Sequence, residues 1–164
     1  MKPARFLAYI AAVLRSPSGE YLLMKRSSTK DYASGAWECV TGRVGENESF
    51  EQALHREIRE ETAMTARIEY PLGTAHFYRG EAKPENEMLG VVYSCRVDDP
   101  EKLRLSNEHS EYVWLSPASA LELLAGDEPG TRWMRKVIEK AEVLGTLVPG
   151  DLAAYIQQYG FEID

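Results

Sequence analysis

Three glutamates, Glu57, Glu60 and Glu61, lie close together in a stretch that reads GRVGENESFEQALHREIREETAM between Gly42 and Met64. On a helix, residues three and four apart stand side by side, so Glu57 sits beside both Glu60 and Glu61. Like charges at that spacing weaken a helix by roughly 0.2–0.5 kcal/mol per pair when nothing compensates them. A hard divalent cation takes oxygen ligands and turns the same repulsion into a binding site. Metal binding is the chemistry these side chains suit.

A metal-binding helix needs a rigid lead-in, and the preceding residues supply one. Gly42, Gly45 and Asn47 carry turn chemistry, and Ser49 followed three residues later by Gln52 has the form of a capping box for a helix starting near Phe50. Phe50, Ala53, Leu54 and Ile58 recur at helical spacing as the core face, which places Glu57, Glu60 and Glu61 on the other side.

The rest of the chain is compatible with one soluble domain. It has 164 residues, 44% of them hydrophobic and 27% charged, enough to build a real core. A formal net charge of -7 argues against a basic surface for long nucleic acid, whereas a small anionic substrate can still enter through bound cations. Cys39 and Cys95 have no metal-ligand spacing and make no disulfide framework, which fits a reducing, cytoplasmic compartment. A basic start followed by the apolar residues 6–14 looks superficially like a secretion signal. No small-residue cleavage site follows, and the run from Arg15 through Pro17 to Glu20 reads as a turn closing a buried strand. No stretch reaches transmembrane length, so no membrane partner is expected.

Strand-like runs alternate with turns on both sides of the acidic helix. Residues 6–14 and 21–25 flank the turn at Pro17 as an expected hairpin, and residues 40–41 lead into the helix. Strands are expected over 66–70, 74–78, 89–96 and 112–115, together forming a mixed sheet. Further helices are expected over 117–124, over 131–144 with Met134, Val137, Ile138 and Ala141 on one face, and from 149 through 159. No internal repeat or linker divides the chain, so the tail is expected to pack on the same core or on a partner.

The acidic stretch resembles the signature of the Nudix hydrolases: Gly, five residues, Glu, seven residues, then Arg-Glu-apolar-any-Glu-Glu-any-Gly-apolar. Gly42, Glu48, Arg56, Glu57, Ile58, Glu60, Glu61 and Met64 match in register, and Ala63 alone departs, standing where the family has glycine. Glycine leaves a helix easily at positive φ, a conformation that costs alanine of order 1 kcal/mol. The resemblance covers residues 6 to about 124. It implies an α/β fold, an α/β/α sandwich with a mixed β-sheet and a loop-helix-loop catalytic box, followed by a C-terminal helical extension over about 125–164 within a single domain of 1–164.

The family hydrolyses nucleoside diphosphates linked to another group, so the resemblance implies a small anionic, nucleotide-like substrate and Mg²⁺, with Mn²⁺ as a substitute. It makes Glu57 and Glu61 the foremost metal ligands, Glu60 the next, and the backbone carbonyl of Thr41 a further one. Arg56 would position a carboxylate, and Glu48 would brace the loop and helix. Some members draw their general base from the box and others from a later loop. Here Glu108 is the expected additional ligand or base, with Glu111 behind it, and His109 is expected to be a hydrogen-bonded or surface histidine. Nothing suggests a covalent intermediate, so water is the expected nucleophile.

The segment around Trp37 and Thr41, with Glu108-His109 and Tyr112-Val-Trp-Leu, is similar to the branch containing dihydroneopterin triphosphate and deoxynucleoside triphosphate pyrophosphatases. Lys25 and Arg26 could contact phosphates, while Trp37, Tyr32, Phe77 or Tyr78 could stack on a base or pterin; for each aromatic a place in the core is the competing reading. Marks of the NADH-, coenzyme A- and ADP-ribose-cleaving classes are absent, and Tyr78 lies too near the box for a clean dinucleoside polyphosphate match. The expected function is a Mg²⁺-dependent pyrophosphohydrolase acting as a monomer or homodimer. A dinucleoside polyphosphate or nucleotide-sugar hydrolase, and a non-catalytic nucleotide-binding module on the same fold, are the alternatives.

Overall fold

The computed structural model describes residues 5–29 and 33–163, so Tyr32 lies outside the described residues. Among the described residues seven strands form one mixed sheet: β1 (Leu7–Arg15), β2 (Tyr21–Arg26), β3 (Trp37–Glu38), β4 (Val40–Arg43), β5 (Ala66–Tyr78), β6 (Glu87–Val97) and β7 (His109–Leu115). Four α-helices accompany them: α1 (Phe50–Thr62), α2 (Pro117–Leu123), α3 (Pro129–Leu147) and α4 (Leu152–Tyr159).

β1 is the axis of the sheet. It runs parallel to β6 from Leu7↔Met88 to Arg15↔Arg96 and antiparallel to β4 from Tyr9↔Arg43 to Ala12↔Val40. Tyr9, Ile10, Ala11, Ala12, Val13 and Leu14 are all buried, the continuous apolar run of a strand covered on both faces. α1 lies against β1 and β4, while α3 packs on β5 and β3, which gives the α/β/α arrangement. Each fully buried Leu or Ile in that interior, such as Leu54 and Ile58 of α1, is worth roughly 1.5–3 kcal/mol.

Two strand expectations are corrected. β1 and β2 do not zip into a hairpin; they meet only at Arg15↔Tyr21 beside the turn. Beyond that point β4 and β6 take both edges of β1, and β2 pairs with β7 and β3. The two strands expected over 66–70 and 74–78 are one strand, β5, whose pairing with β6 shifts register between Ile68 and Tyr70 and between Pro71 and Gly73. Irregular pairing there accommodates Pro71, which lacks an N–H for the ladder, without ending the strand.

The C-terminal helices join the same interior. α3 buries Met134, Val137, Ile138 and Ala141, the face that its periodicity marks, and α4 contributes Ile156 and packs on β5. The signal-like run, residues 6–14, falls almost wholly within the central strand β1. Among the described residues no helix is long and apolar enough to cross a membrane.

Candidate active site

The lead-in to α1 is built as its residues require. Ser49 Oγ accepts from the Gln52 N–H at 3.2 Å, and Gln52 Oε1 accepts from the Ser49 N–H at 2.9 Å, completing the capping box. Glu48 Oε2 accepts from the Gly45 N–H at 2.7 Å and so closes the loop between β4 and the helix. At the other end Ala63 adopts φ 58°, ψ 8°, the left-handed conformation in which the family has glycine, and its N–H donates to the Arg59 carbonyl.

Arg56 ties the acids together. Its Nε and Nη2 donate to the two oxygens of Glu48 at 2.7 and 2.8 Å, and its Nη1 donates to Glu57 at 2.7 Å and to Glu60 at 3.2 Å. A further bond runs from Nη2 to the Arg43 carbonyl at 2.9 Å, which anchors the guanidinium to the end of β4. The forked guanidinium suits this work because it can bind one carboxylate through two bonds and still reach others. Bonds from Arg56 and Gly45 hold the Glu48 carboxyl down at about 2. Glu48 therefore braces loop and helix, as its place in the signature implies.

The expectation that all three glutamates lie on the face opposite the core is corrected for Glu61. Glu61 is only 5% exposed, and Glu57 is largely covered, while the Glu60 side chain stands 60% exposed. Helical spacing sets Glu61 three residues after Ile58 and seven after Leu54, so it shares their inward direction at the polar margin of the core. Burial raises the Glu61 carboxyl well above its ordinary value, and the nearby charges of Glu38, Glu57 and Glu108 add to the rise; the Thr41 N–H opposes it. Burial also raises Glu57, against the pull of Arg56.

Gly42 makes room for this arrangement. A Cβ there would stand 2.0 Å from the Glu57 carboxyl carbon. Its neighbour Thr41 directs an N–H to Glu61, and in a strand the N–H and C=O of one residue face the same edge. The Thr41 carbonyl therefore faces the Glu61 side of β4.

The loop between β6 and β7 is fastened to the last turn of α1. Its Arg104 N–H donates to the Thr62 carbonyl at 2.8 Å, and the Ser106 N–H donates to the Glu61 carbonyl at 3.0 Å. These bonds bring half-buried Glu108 near enough to perturb both Glu57 and Glu61. Glu111, in contrast, is exposed and pairs with Lys25 at 3.3 Å.

Glu38 belongs to the same neighbourhood, and sequence reasoning missed it. Its Oε1 accepts from Arg26 Nη1 at 3.0 Å and lies 2.9 Å from Nε2 of His109, which is 6% exposed and whose Nδ1 is buried without a hydrogen-bond partner. The one available signal was a carboxylate in a short strand segment two residues before buried Val40. Arg26 thus sits at the site's margin through Glu38. The Lys25 ammonium lies 5.6 Å from the ring centroid of partly buried Trp37, while Phe77 stands edge-on to Tyr9 at 5.0 Å. Tyr78 packs edge-on to His76 at the far end of β5.

Among the described residues no three His, Cys, Asp or Glu side chains stand as a ready cage for an ion; Arg56 holds Glu57 and Glu60 instead. The donor set nevertheless fits a hard cation. Glu61 Oε2 is buried without a hydrogen-bond partner, several carboxylates repel one another around it, and a backbone carbonyl faces it.

Comparison with known proteins agrees with this geometry. Residues 5–140 match the family model described as the NUDIX domain. The CTP pyrophosphohydrolase of Escherichia coli K12 is 32% identical over 122 residues, which span 72% of this chain and 82% of that protein. An octanoyltransferase of Myxococcus xanthus is 31% identical over 123 residues, which are 74% of this chain but only 33% of that protein. Among solved structures, the MutT protein of Methanosarcina mazei Go1 is similar with a TM-score of 0.69 and 27% identity, covering 88% of this chain and 99% of the other. A match over most of the chain, on a fold that seats Glu57, Glu60 and Glu61 along one helix and Glu48 in the loop before it, makes this protein a member of the Nudix hydrolase family.

Proposed function

We propose that the chain is a Mg²⁺-dependent pyrophosphohydrolase of nucleoside di- or triphosphate-type substrates, with nucleoside triphosphates, deoxynucleoside triphosphates and dihydroneopterin triphosphate favoured. The observation that carries this reading is the buried, unpartnered Glu61 oxygen beside Glu57, on a helix whose remaining box acids are held in place by Arg56. The similarity to a CTP pyrophosphohydrolase over most of both chains supports a triphosphate and makes CTP the first nucleotide to test.

Glu57, Glu61 and the Thr41 carbonyl would hold Mg²⁺, with Glu60 and Glu108 completing the set. When bound, the cation would supply charge neutralisation of the phosphate oxygens and activation of water. Arg56 fixes the direction of Glu57 and Glu60 through hydrogen bonds on the helix surface. In its other role, as base rather than ligand, Glu108 accepts the proton of the attacking water. Lys25 and Arg26 bring positive charge to the approach of the polyphosphate, and Trp37 offers an aromatic face beside it.

The test is a panel of nucleoside triphosphates, dihydroneopterin triphosphate, dinucleoside polyphosphates and nucleotide sugars, incubated with and without Mg²⁺ and resolved by product mass. Monophosphate plus pyrophosphate, formed only with Mg²⁺, is the expected result. Saturable binding with no turnover of any member would replace the reading with a nucleotide-binding module.

A further inference from the structure

The chain beyond the matched family region returns to the start of the catalytic helix. α4 ends at Gly160, where φ of +79° turns the backbone, and Phe161 then packs edge-on against buried Tyr93 of β6 at 5.2 Å. That contact brings Glu162 to the first turn of α1. Its Oε1 accepts from the Phe50 N–H at 3.0 Å and its Oε2 from the Glu51 N–H at 3.2 Å. Glu51 answers in kind, its Oε1 accepting from the N–H groups of Phe161 and Glu162.

A helix leaves its first N–H groups without internal partners. In α1 the Gln52 N–H goes to Ser49 Oγ, and those of Phe50 and Glu51 both go to Glu162. Burial works against ionisation of the Glu162 carboxyl, but hydrogen bonds from the Ser49 side chain and the Phe50 and Glu51 N–H groups hold its pKa below the ordinary value. The opposite end of the helix is already held by the loop that carries Glu108. Held at both ends as well as along its buried face, the helix has the axial position and rotation of Glu57 and Glu61 fixed.

We propose that Glu162 is a positioning residue: with Glu51 it forms a reciprocal clasp that fastens the C-terminal tail to the first turn of α1 and thereby sets the seating of Glu57 and Glu61. The family match ends at residue 140, so this fastening is supplied by the chain's own extension. The proposal rests on the reading that those two carboxylates hold a divalent cation.

Glu162→Ala, Glu162→Gln, Glu51→Ala and the Glu51→Ala/Glu162→Ala double variant are compared with the wild type in the full chain. The readouts are kcat and KM for CTP in Mg²⁺, Mn²⁺ affinity from the electron paramagnetic resonance of the free ion, and amide exchange across α1 and α3. Glu162→Ala should lower kcat about tenfold, as a small misplacement of reacting groups does, with KM within about twofold. It should weaken Mn²⁺ binding and speed exchange at Phe50 and Glu51 while α3 keeps its protection. Glu162→Gln, which retains one acceptor oxygen, should recover part of the loss, and the double variant should be no worse than Glu162→Ala. Unchanged kcat and Mn²⁺ affinity in Glu162→Ala would overturn the proposal, as would a loss accompanied by equal deprotection of α3. A wild type that neither turns over nucleotide nor binds Mn²⁺ would refute the reading of the site itself, and the positioning role with it. A wild type that binds Mn²⁺ without turnover refutes only the activity, and Mn²⁺ affinity then decides the clasp.

Discussion

A Cβ on Gly42 would stand 2.0 Å from the carboxyl carbon of Glu57, so the strand leading into the box and the helix that follows compete for one space. The obstructed atoms are the far end of a flexible side chain, and Gly42 has no positive φ to strain an alanine. Gly42→Ala should therefore fold with a small change in melting temperature yet lose most of its Mg²⁺-dependent turnover, because the Glu57 carboxylate is the group that must move. Thermal unfolding and kcat measured on one preparation separate the two effects. Full activity would show that Glu57 need not occupy this position.

Glu61→Gln keeps shape and removes charge. Turnover in Mg²⁺ should fall by about 10²–10³-fold, the scale on which a single transition-state contact acts. Stability should move the other way in metal-free protein. The folded pKa of Glu61 lies above its unfolded value, so the group supports folding below the unfolded pKa, and that support is lost as pH rises through the folded pKa. At neutral pH with chelator, Glu61→Gln should be at least as resistant to urea as the wild type. A marked loss of stability would mean that the ionised carboxylate is well solvated or paired.

Ala63 occupies a conformation that glycine adopts without cost, at φ 58°. Ala63→Gly should stabilise the fold by up to about 1 kcal/mol, offset in part by the freer unfolded chain. Activity should change little, because Ala63 is exposed and no box acid is displaced. A gain in turnover of orders of magnitude would instead identify the helix exit as the element limiting catalysis.

Glu48 should account for part of the acid sensitivity of the fold. Its carboxyl falls from 4.5 to about 2 through its bonds to Arg56 and Gly45. A depressed folded pKa gives stability that is complete above the unfolded value and disappears as pH falls through the folded one. The urea midpoints of wild type and Glu48→Gln should differ at pH 6 and converge between pH 4.5 and about 2. Parallel curves over that range would place the acid response elsewhere.

Glu108→Gln should reduce kcat by about 10²-fold or more with KM little changed, the pattern of a group that acts chiefly in the transition state. Glu111→Gln should be nearly silent, since Glu111 is an exposed partner of Lys25. The reverse outcome would move the base to β7 and leave the box untouched.

The local features were the most legible in the sequence. The Ser49–Gln52 box, the start of α1 and the buried face of α3 follow from spacing and side-chain chemistry within a few residues, while the αL exit at Ala63 is legible only through the resemblance, which has glycine there. What escaped depends on partners far along the chain. The turn at Pro17 suggested a hairpin, but β4 and β6 offer β1 two long edges, and β2 finds its partners in β7 and β3. Glu61 read as a solvent-facing acid because helical periodicity separates two sides and cannot mark the boundary residue that the sheet and the loop after β6 close over. Glu38 became a site residue only when β3 brought it against Arg26 and His109, a convergence with no local signal.

The placement of β1 also governs the order in which the molecule can assemble. Its parallel partner begins at Glu87, so β1, made well before it, cannot complete its pairing until β6 has emerged. Pairing over such a separation costs loop-closure entropy before any contact repays it, which slows folding relative to a chain of local hairpins. An apolar strand left waiting with open edges is also a template for intermolecular pairing. The concentration of nascent or refolding chain, more than the final stability, should then set the yield of soluble protein.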